Sequence, residues 1–453
     1  MPAVQPPIET SPLPGLSRAA VKAPRVYIET YGCQMNVNDS ELIGGILREA
    51  GCRLVGHPDE ADLILLNTCA VRENAEQRIV GRTGQLAGLK DGRELRIGIV
   101  GCMAQHLRED LLDQVPHADF ILGPDAYRSL PEILDLADGE RMSLCQLDRE
   151  ELYEGLPLHR EEGAVEAFVT IMRGCDRMCT FCVVPMTRGR ERSRRWQDVV
   201  AEVKGLVGKG VREVTLLGQT VNAYRDEGLS FGNLLWKVAE TGIPRIRFTS
   251  PHPVYYQDDE IDAIAECDAV CEWVHLPVQS GSTEVLERMH RGYTRERYLE
   301  IVERIRSRVP DVTVTTDIIV GFPGETEAQF QETLSLMEAC DFDGGYLFKY
   351  SPREGTRAAR DLADDLPPSV KQQRLEEVLA LQSELTGRSN RAMLGREFEV
   401  LFTEEGNRGP DQWVGRTRGN KTVVVESEKY LKGRMLPVVV EETGSWTLRG
   451  RLV

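Results

Sequence analysis

Residues 174–182 read GCDRMCTFC and place Cys175, Cys179 and Cys182 within one short loop. A structural zinc site takes four ligands and a disulfide takes two. Three close thiols with no fourth nearby predict a metal centre with one position left open. The loop follows AFVTIMRGC, a β-branched run that reads as a strand. Five further strand candidates come after it: REVTLLGQ, RIRFTSPHP, EWVHLPVQS, VTVTTDIIVGFPGE and GYLFKYSPREG. Helical patterns such as RRWQDVVAEVKGLVGKG and ERYLEIVERIRSRV separate them. Six βα units over about residues 161–385 predict a partial (β/α)6 barrel, whose chemistry sits at the carboxyl ends of the strands. Cys175 ends the first of those strands.

Upstream, residues 25–150 alternate in the same way. RVYIETYGC, ADLILLNTC and RIGIVGC each stop at a cysteine, Cys33, Cys69 and Cys102. Helical patterns follow, and NDSELIGGILREAG offers Asp39 or Ser40 as a cap. A βα repeat predicts a parallel sheet, with ligands collecting outside its carboxyl edge. One cysteine at a strand end is ordinarily a small buried residue. Three in succession favour a second metal site. A helix over about 368–393 gives way from about residue 394 to a β pattern: REFEVLFTEEG, KTVVVES, LPVVVEE and WTLRGRLV predict a small all-β barrel, with the C-terminal domain expected over 386–453. The architecture expected is therefore α/β, with an N-terminal parallel-sheet domain, a central partial barrel and a C-terminal β barrel.

The chain has 453 residues, eleven cysteines and a formal net charge of −17. Many cysteines in an otherwise ordinary composition predict reduced thiols serving metal or catalysis. The acidic balance argues against indiscriminate nucleic-acid binding but leaves room for a local basic surface. No apolar run has the length of a membrane span. The proline-rich residues 1–24 lack a signal-peptide centre and read as a disordered arm, and the expected location is the cytoplasm. Cys52, Cys145, Cys267, Cys271 and Cys340 are expected to be buried without a metal role.

The spacing C-x3-C-x2-C after a first barrel strand, with Phe181 before the last cysteine, resembles the radical S-adenosylmethionine superfamily. The resemblance implies that Cys175, Cys179 and Cys182 hold a [4Fe–4S] cluster whose open iron binds S-adenosylmethionine, cleaved on reduction to a 5′-deoxyadenosyl radical. It also implies that Gly218 and Gln219 meet the methionine amine. Gln279 and Ser280 would hold the ribose, and Gly321 and Gly324 would let backbone approach the adenine. A zinc knuckle or local redox thiol set is the alternative for the loop.

YGCQMNVNDSE, NTCAVRENAE and VGCMAQ ahead of that loop, with the β barrel behind it, resemble the methylthiotransferases over nearly the whole chain beyond residue 25. In that family the cysteines at Cys33, Cys69 and Cys102 hold an auxiliary [4Fe–4S] cluster that takes part in sulfur delivery. Cys33-Gln34-Met35-Asn36 and VVPMTRGRERSR resemble the branch acting on tRNA that carries isopentenyl-adenosine. Met186 departs from that branch's usual tyrosine. The implied reaction is methylthiolation of carbon 2 of N6-isopentenyladenosine at position 37. One S-adenosylmethionine supplies the methyl group and another the radical. An electron donor and a sulfur source, neither identified by the sequence, are further partners. No residue is assigned a catalytic role beyond ligating the clusters.

The last β module resembles a TRAM domain, which implies RNA contacts at Arg416, Arg418 and Lys421, with a second basic turn at Arg449 and Arg451. Arg188, Arg190, Arg192, Arg194 and Arg195 are expected to divide between tRNA phosphates, cofactor and internal pairs with neighbours such as Glu191 and Asp198. Methylthiolation of threonylcarbamoyl-adenosine tRNA or of a ribosomal protein is the enzymatic alternative. A metal-stabilised RNA-binding protein is the non-enzymatic one.

Overall fold

The computed structural model describes residues 23–70, 73–134, 141–406, 409 and 411–453, the side chains of 73–76 excepted. Residues 1–22 of the expected arm lie outside them.

Six parallel strands form the N-terminal sheet: β1 (Arg25–Tyr31), β2 (Arg53–Leu54), β3 (Leu63–Thr68), β4 (Arg96–Gly101), β5 (Phe120–Leu122) and β6 (Met142–Leu144). Their order is β2-β1-β3-β4-β5-β6. Every residue of β3, LILLNT, is buried, as a strand covered on both faces requires. Its side chains alternate: Leu63 and Leu65 pack with Leu42, Ile43 and Leu47 on one face. Ile64 and Leu66 pack with Ile79, Ile97 and Ile99 on the other. The helix after β1 spans Gln34–Glu49 and its N-cap is Cys33. It therefore starts earlier than Asp39 or Ser40. Asn36 decides this by donating to Asn67 and Thr68, which ties the first turn to the end of β3.

The central barrel is built from β7 (Glu166–Thr170), β10 (Glu213–Leu217), β13 (Arg245–Phe248), β14 (Trp273–His275), β15 (Thr313–Val320) and β16 (Gly344–Lys349). Two-residue ribbons, β8 (Met172–Arg173) with β9 (Arg192–Ser193) and β11 (Arg225–Asp226) with β12 (Leu229–Ser230), lie between them. The six long strands fall into two parallel halves, β13-β10-β7 and β14-β15-β16. A single bridge from Ile246 to Val270 joins them. Helices cover the outside, and one core runs through both halves.

The helix Pro368–Arg391 leads to a closed barrel in the order β17-β18-β19-β21-β20, made of β17 (Glu397–Glu405), β18 (Gln412–Thr417), β19 (Thr422–Glu426), β20 (Met435–Thr443) and β21 (Thr447–Leu452). Val400, Phe402, Trp413, Val423, Val438 and Leu448 fill it. Among the described residues no helix is long and apolar enough to cross a membrane. The five cysteines outside the two triads are all buried.

Candidate functional site

Strand register brings the first three thiols together. Tyr31 pairs with Thr68, and Thr68 pairs with Gly101, so β1, β3 and β4 end flush. Adjacent strands lie about 4.8 Å apart; Cys69 and Cys102 follow those ends directly, and Cys33 follows after Gly32. Gly101 has φ +99, and a Cβ there would stand 2.6 Å from Asn67 Oδ1. Only glycine turns the chain there without displacing that packing, so that Cys102 opens the next helix. A hydrogen bond from Cys69 is the main cause that lowers the Cys33 thiol to about 6, with Arg188 helping and burial opposing. Burial raises the Cys102 thiol, although Arg188 Nε donates to its Sγ at 3.2 Å.

The second triad lies on a loop held by its own backbone: Cys175 N donates to Gly189 O, and Cys182 N to Cys179 O. Gly174, at φ +75, lies so close to Arg190 O that a Cβ would overlap it. Each sulfur has a hydrogen-bond partner. Thr220 Oγ1 lies 3.2 Å from Cys175 Sγ. Arg291 Nη1 donates to Cys179 Sγ at 3.4 Å, and Val184 N to Cys182 Sγ at 3.4 Å. Burial, followed by the charges of Cys179 and Cys175, pushes Cys182 up to about 12. Three mutually repelling thiols fit a cationic iron core, because coordination deprotonates a thiol outright. Among the described residues no group of three or more His, Cys, Asp or Glu is placed to hold one metal ion. A cluster asks for something different, one thiolate on each of three irons.

The residues expected around S-adenosylmethionine divide. Gly218 and Gln219 directly follow β10. A Cβ at Gly218 would meet Met172 Cγ at 2.5 Å. Gln219 Oε1 is buried with no partner, an acceptor that fits an ammonium donor. Gln279 takes φ +74 and bridges to Ile318. Ser280 has a fully buried hydroxyl that faces Thr333 Oγ1 at 3.4 Å and accepts from Ser282 N. Gly321 N donates to Glu325 and Gly324 N to Asp365. Those two glycines shape the turn, and their amide donors are already taken.

Of the roles expected for the arginine run, internal pairing takes four of its five members. Arg188 joins Asp39, and Arg192 joins Asp125. Arg173 reaches both aspartates. Arg194 pairs with Glu202 and Arg190 with Asp176. Asp39 and Asp125 belong to the N-terminal domain, so buried charge pairs cement it to the barrel. The internal partners are not the sequence neighbours Glu191 and Asp198. Arg195 is exposed and stands outside these pairs.

Two predicted RNA contacts are likewise taken by the protein. Arg418 grips Glu272 through Nη2 at 2.7 Å and Nε at 2.8 Å. Lys421 Nζ donates to Asp343 O, Ser389 Oγ and Asn390 Oδ1. Arg247 donates to Thr417 O and Arg418 O. The turn 417–421 thus docks at the amino ends of β13 to β15, opposite the thiols. Arg416 remains exposed.

A feature without a sequence signal is the inner face of the barrel. Thr316 and Ile318 are buried on the helix side, so Asp317 and Ile319 point inward. Register sets Tyr346 beside Asp317 and Phe348 beside Ile319. Tyr346 is 60% exposed and Phe348 42%. His275 contacts Tyr346 edge-on and lies 3.3 Å from Asp317 Oδ1.

Three family models match in turn: the uncharacterized protein family UPF0004 over residues 25–123, the radical SAM superfamily over 169–337 and the TRAM domain over 391–453. A tRNA-2-methylthio-N(6)-dimethylallyladenosine synthase of Chloroherpeton thalassium is 48% identical, covering 96% of this chain and 97% of its own. One of Moorella thermoacetica is 44% identical, covering 96% and 99%. The chain belongs to this family. Family membership makes it a radical S-adenosylmethionine enzyme, with a [4Fe–4S] cluster and S-adenosylmethionine. The fold is also that of the radical S-adenosylmethionine methyltransferase TsrM from Kitasatospora setae, at 15% identity and a TM-score of 0.57 over 75% of this chain and 77% of that one.

Proposed function

We propose that the chain inserts a methylthio group at carbon 2 of N6-isopentenyladenosine at position 37 of tRNA, with one [4Fe–4S] cluster on Cys33, Cys69 and Cys102 and another on Cys175, Cys179 and Cys182. The observation that carries this reading is the presence of two separate three-thiol groups in a chain 48% identical, nearly end to end, to a synthase of that name. When bound, the clusters and S-adenosylmethionine supply the radical, the methyl group and the sulfur.

The protein's own groups bind and orient. Arg291 and Thr220 hold the second triad's sulfurs, and the unpartnered Gln219 Oε1 would accept from the methionine ammonium. Phe181 packs with Val285, Met289 and Phe322 beside that loop, walling it from water. A base inside a folded anticodon loop must be turned out to be reached. The inward Tyr346 and Phe348 offer it aromatic surface. Arg416 and Arg195 are the phosphate contacts that remain after internal pairing. The work takes place in the cytoplasm, with an electron donor and a sulfur source as further partners.

The test is anaerobic reconstitution with iron and sulfide, followed by incubation with S-adenosylmethionine, reductant and isopentenylated tRNA. Nucleosides from the digested tRNA are then read by mass spectrometry. A methylthio adduct on isopentenyl-adenosine is expected. Cofactor cleavage without that adduct would redirect the reading to threonylcarbamoyl-adenosine or a ribosomal protein.

A further inference from the structure

We propose that Arg188, delivered from the barrel domain, is a positioning residue of the N-terminal thiol triad that holds the Cys102 thiolate and sets the reduction potential of the cluster there. This rests on reading Cys33, Cys69 and Cys102 as cluster ligands.

The geometry is specific. Arg188 Nε donates to Cys102 Sγ at 3.2 Å, while Nη2 donates to Asp39 Oδ2 at 2.7 Å. Its side chain is 3% exposed. The guanidinium fork therefore joins a thiol to a carboxylate within the buried interface between the two domains. What places it is the segment that begins at Cys182. The short helix Val184–Thr187 follows, and Arg188 N closes it by donating to Val184 O at 2.8 Å. Val184 N in turn donates to Cys182 Sγ. Val183 packs on Ala70 and Cys102, with Met186 against them. The peptide that leaves the barrel's triad thus ends on a sulfur of the N-terminal one, and that triad lacks this donor until the domains dock.

A full positive charge donating to a ligand sulfur in a low-dielectric site favours the more negative, reduced cluster. Arg188 thereby raises the potential. Asp39 opposes it by cancelling part of that charge. The two substitutions must then act in opposite directions, a signature that loosened packing does not produce. Arg291 plays the corresponding part at Cys179, but its other partners are Tyr293 and Pro277 O rather than a carboxylate.

The test is a redox titration followed by electron paramagnetic resonance on the reconstituted full chain and its variants. A C33A/C69A/C102A chain first identifies the signal. If that chain keeps its full iron content, the ligand reading has failed and the proposal falls with it. Otherwise R188Q is expected to make one-electron reduction of this cluster at least tenfold less favourable, about 59 mV more negative. D39N shifts it to a more positive value. R160Q, which cuts the bridge from Glu41 of the N-terminal domain to Glu202 of the barrel without touching a thiol or Arg188, leaves it in place. R188K keeps the charge but loses the fork, and gives a smaller negative shift; it carries the test should R188Q fail to fold. No shift in R188Q or R188K with the cluster retained, or shifts of the same sign in R188Q and D39N, would overturn the proposal.

Discussion

Thr68 and Gly101 face each other at the carboxyl edge of the N-terminal sheet, and the residue after each is a cysteine. Gly101 is the position where that edge is least tolerant, because of its φ of +99 and the 2.6 Å approach to Asn67 Oδ1. Gly101→Ala is expected to cost the protein about half of its iron while the barrel's triad keeps its own; atomic absorption on the reconstituted chain reads this, and full iron content would refute it. Glu191 makes a prediction of a different kind. Burial, then the charge of Asp176, raises its carboxyl to about 7. Between about pH 4.5 and 7 the folded chain holds a proton that the unfolded chain has released, so stability falls as pH rises through that window and levels off above it. E191Q should therefore have the higher urea midpoint at pH 8, with the gap closing towards pH 5. An equal gap at both values would contradict this. The cysteines were legible from spacing alone. Their hydrogen-bond partners were not, since Arg188 and Cys102 lie far apart in sequence and only the tertiary fold makes them neighbours.

At the scale of elements, the βα periodicity announced both parallel sheets, and the β runs announced the small barrel. The first helix began earlier than its polar residues implied, because Asn36 both accepts from Cys33 N at the helix start and donates to the end of β3. Sequence could not say how the small barrel sits on the large one, and this is why Arg418 and Lys421 read as RNA contacts. A basic turn looks the same whether it meets phosphate or Glu272. The side chains of Arg418 and Glu272 are 25% and 31% exposed, so their pair lies between the surface and buried regimes. Arg418→Ala is expected to weaken the joint by about 1 kcal/mol. Hydrogen exchange should then speed up across β18 and β19 while cluster content holds. Unchanged exchange would mean that the joint does not depend on this pair.

Over the whole molecule, a net charge of −17 has to be reconciled with an RNA substrate. Most of the arginines that looked available are paired internally, so affinity must rest on a small exposed set that includes Arg416. R416E is expected to weaken tRNA binding and to lower the slope of log affinity against log salt by about 1 for each phosphate that Arg416 neutralises, without moving the melting temperature. An unaltered slope would take Arg416 out of the interface. The three-part organisation serves one purpose on this account: the N-terminal sheet and the barrel each present three thiols, and the segment 182–188 ties the two sites together. Counting irons tests that division most directly, in the reconstituted chain and in its two triple cysteine-to-alanine variants. About eight irons are predicted for the unaltered chain and about four for each variant. The C33A/C69A/C102A protein should still cleave S-adenosylmethionine but make no methylthiolated tRNA. A full complement of iron in either variant would contradict the account.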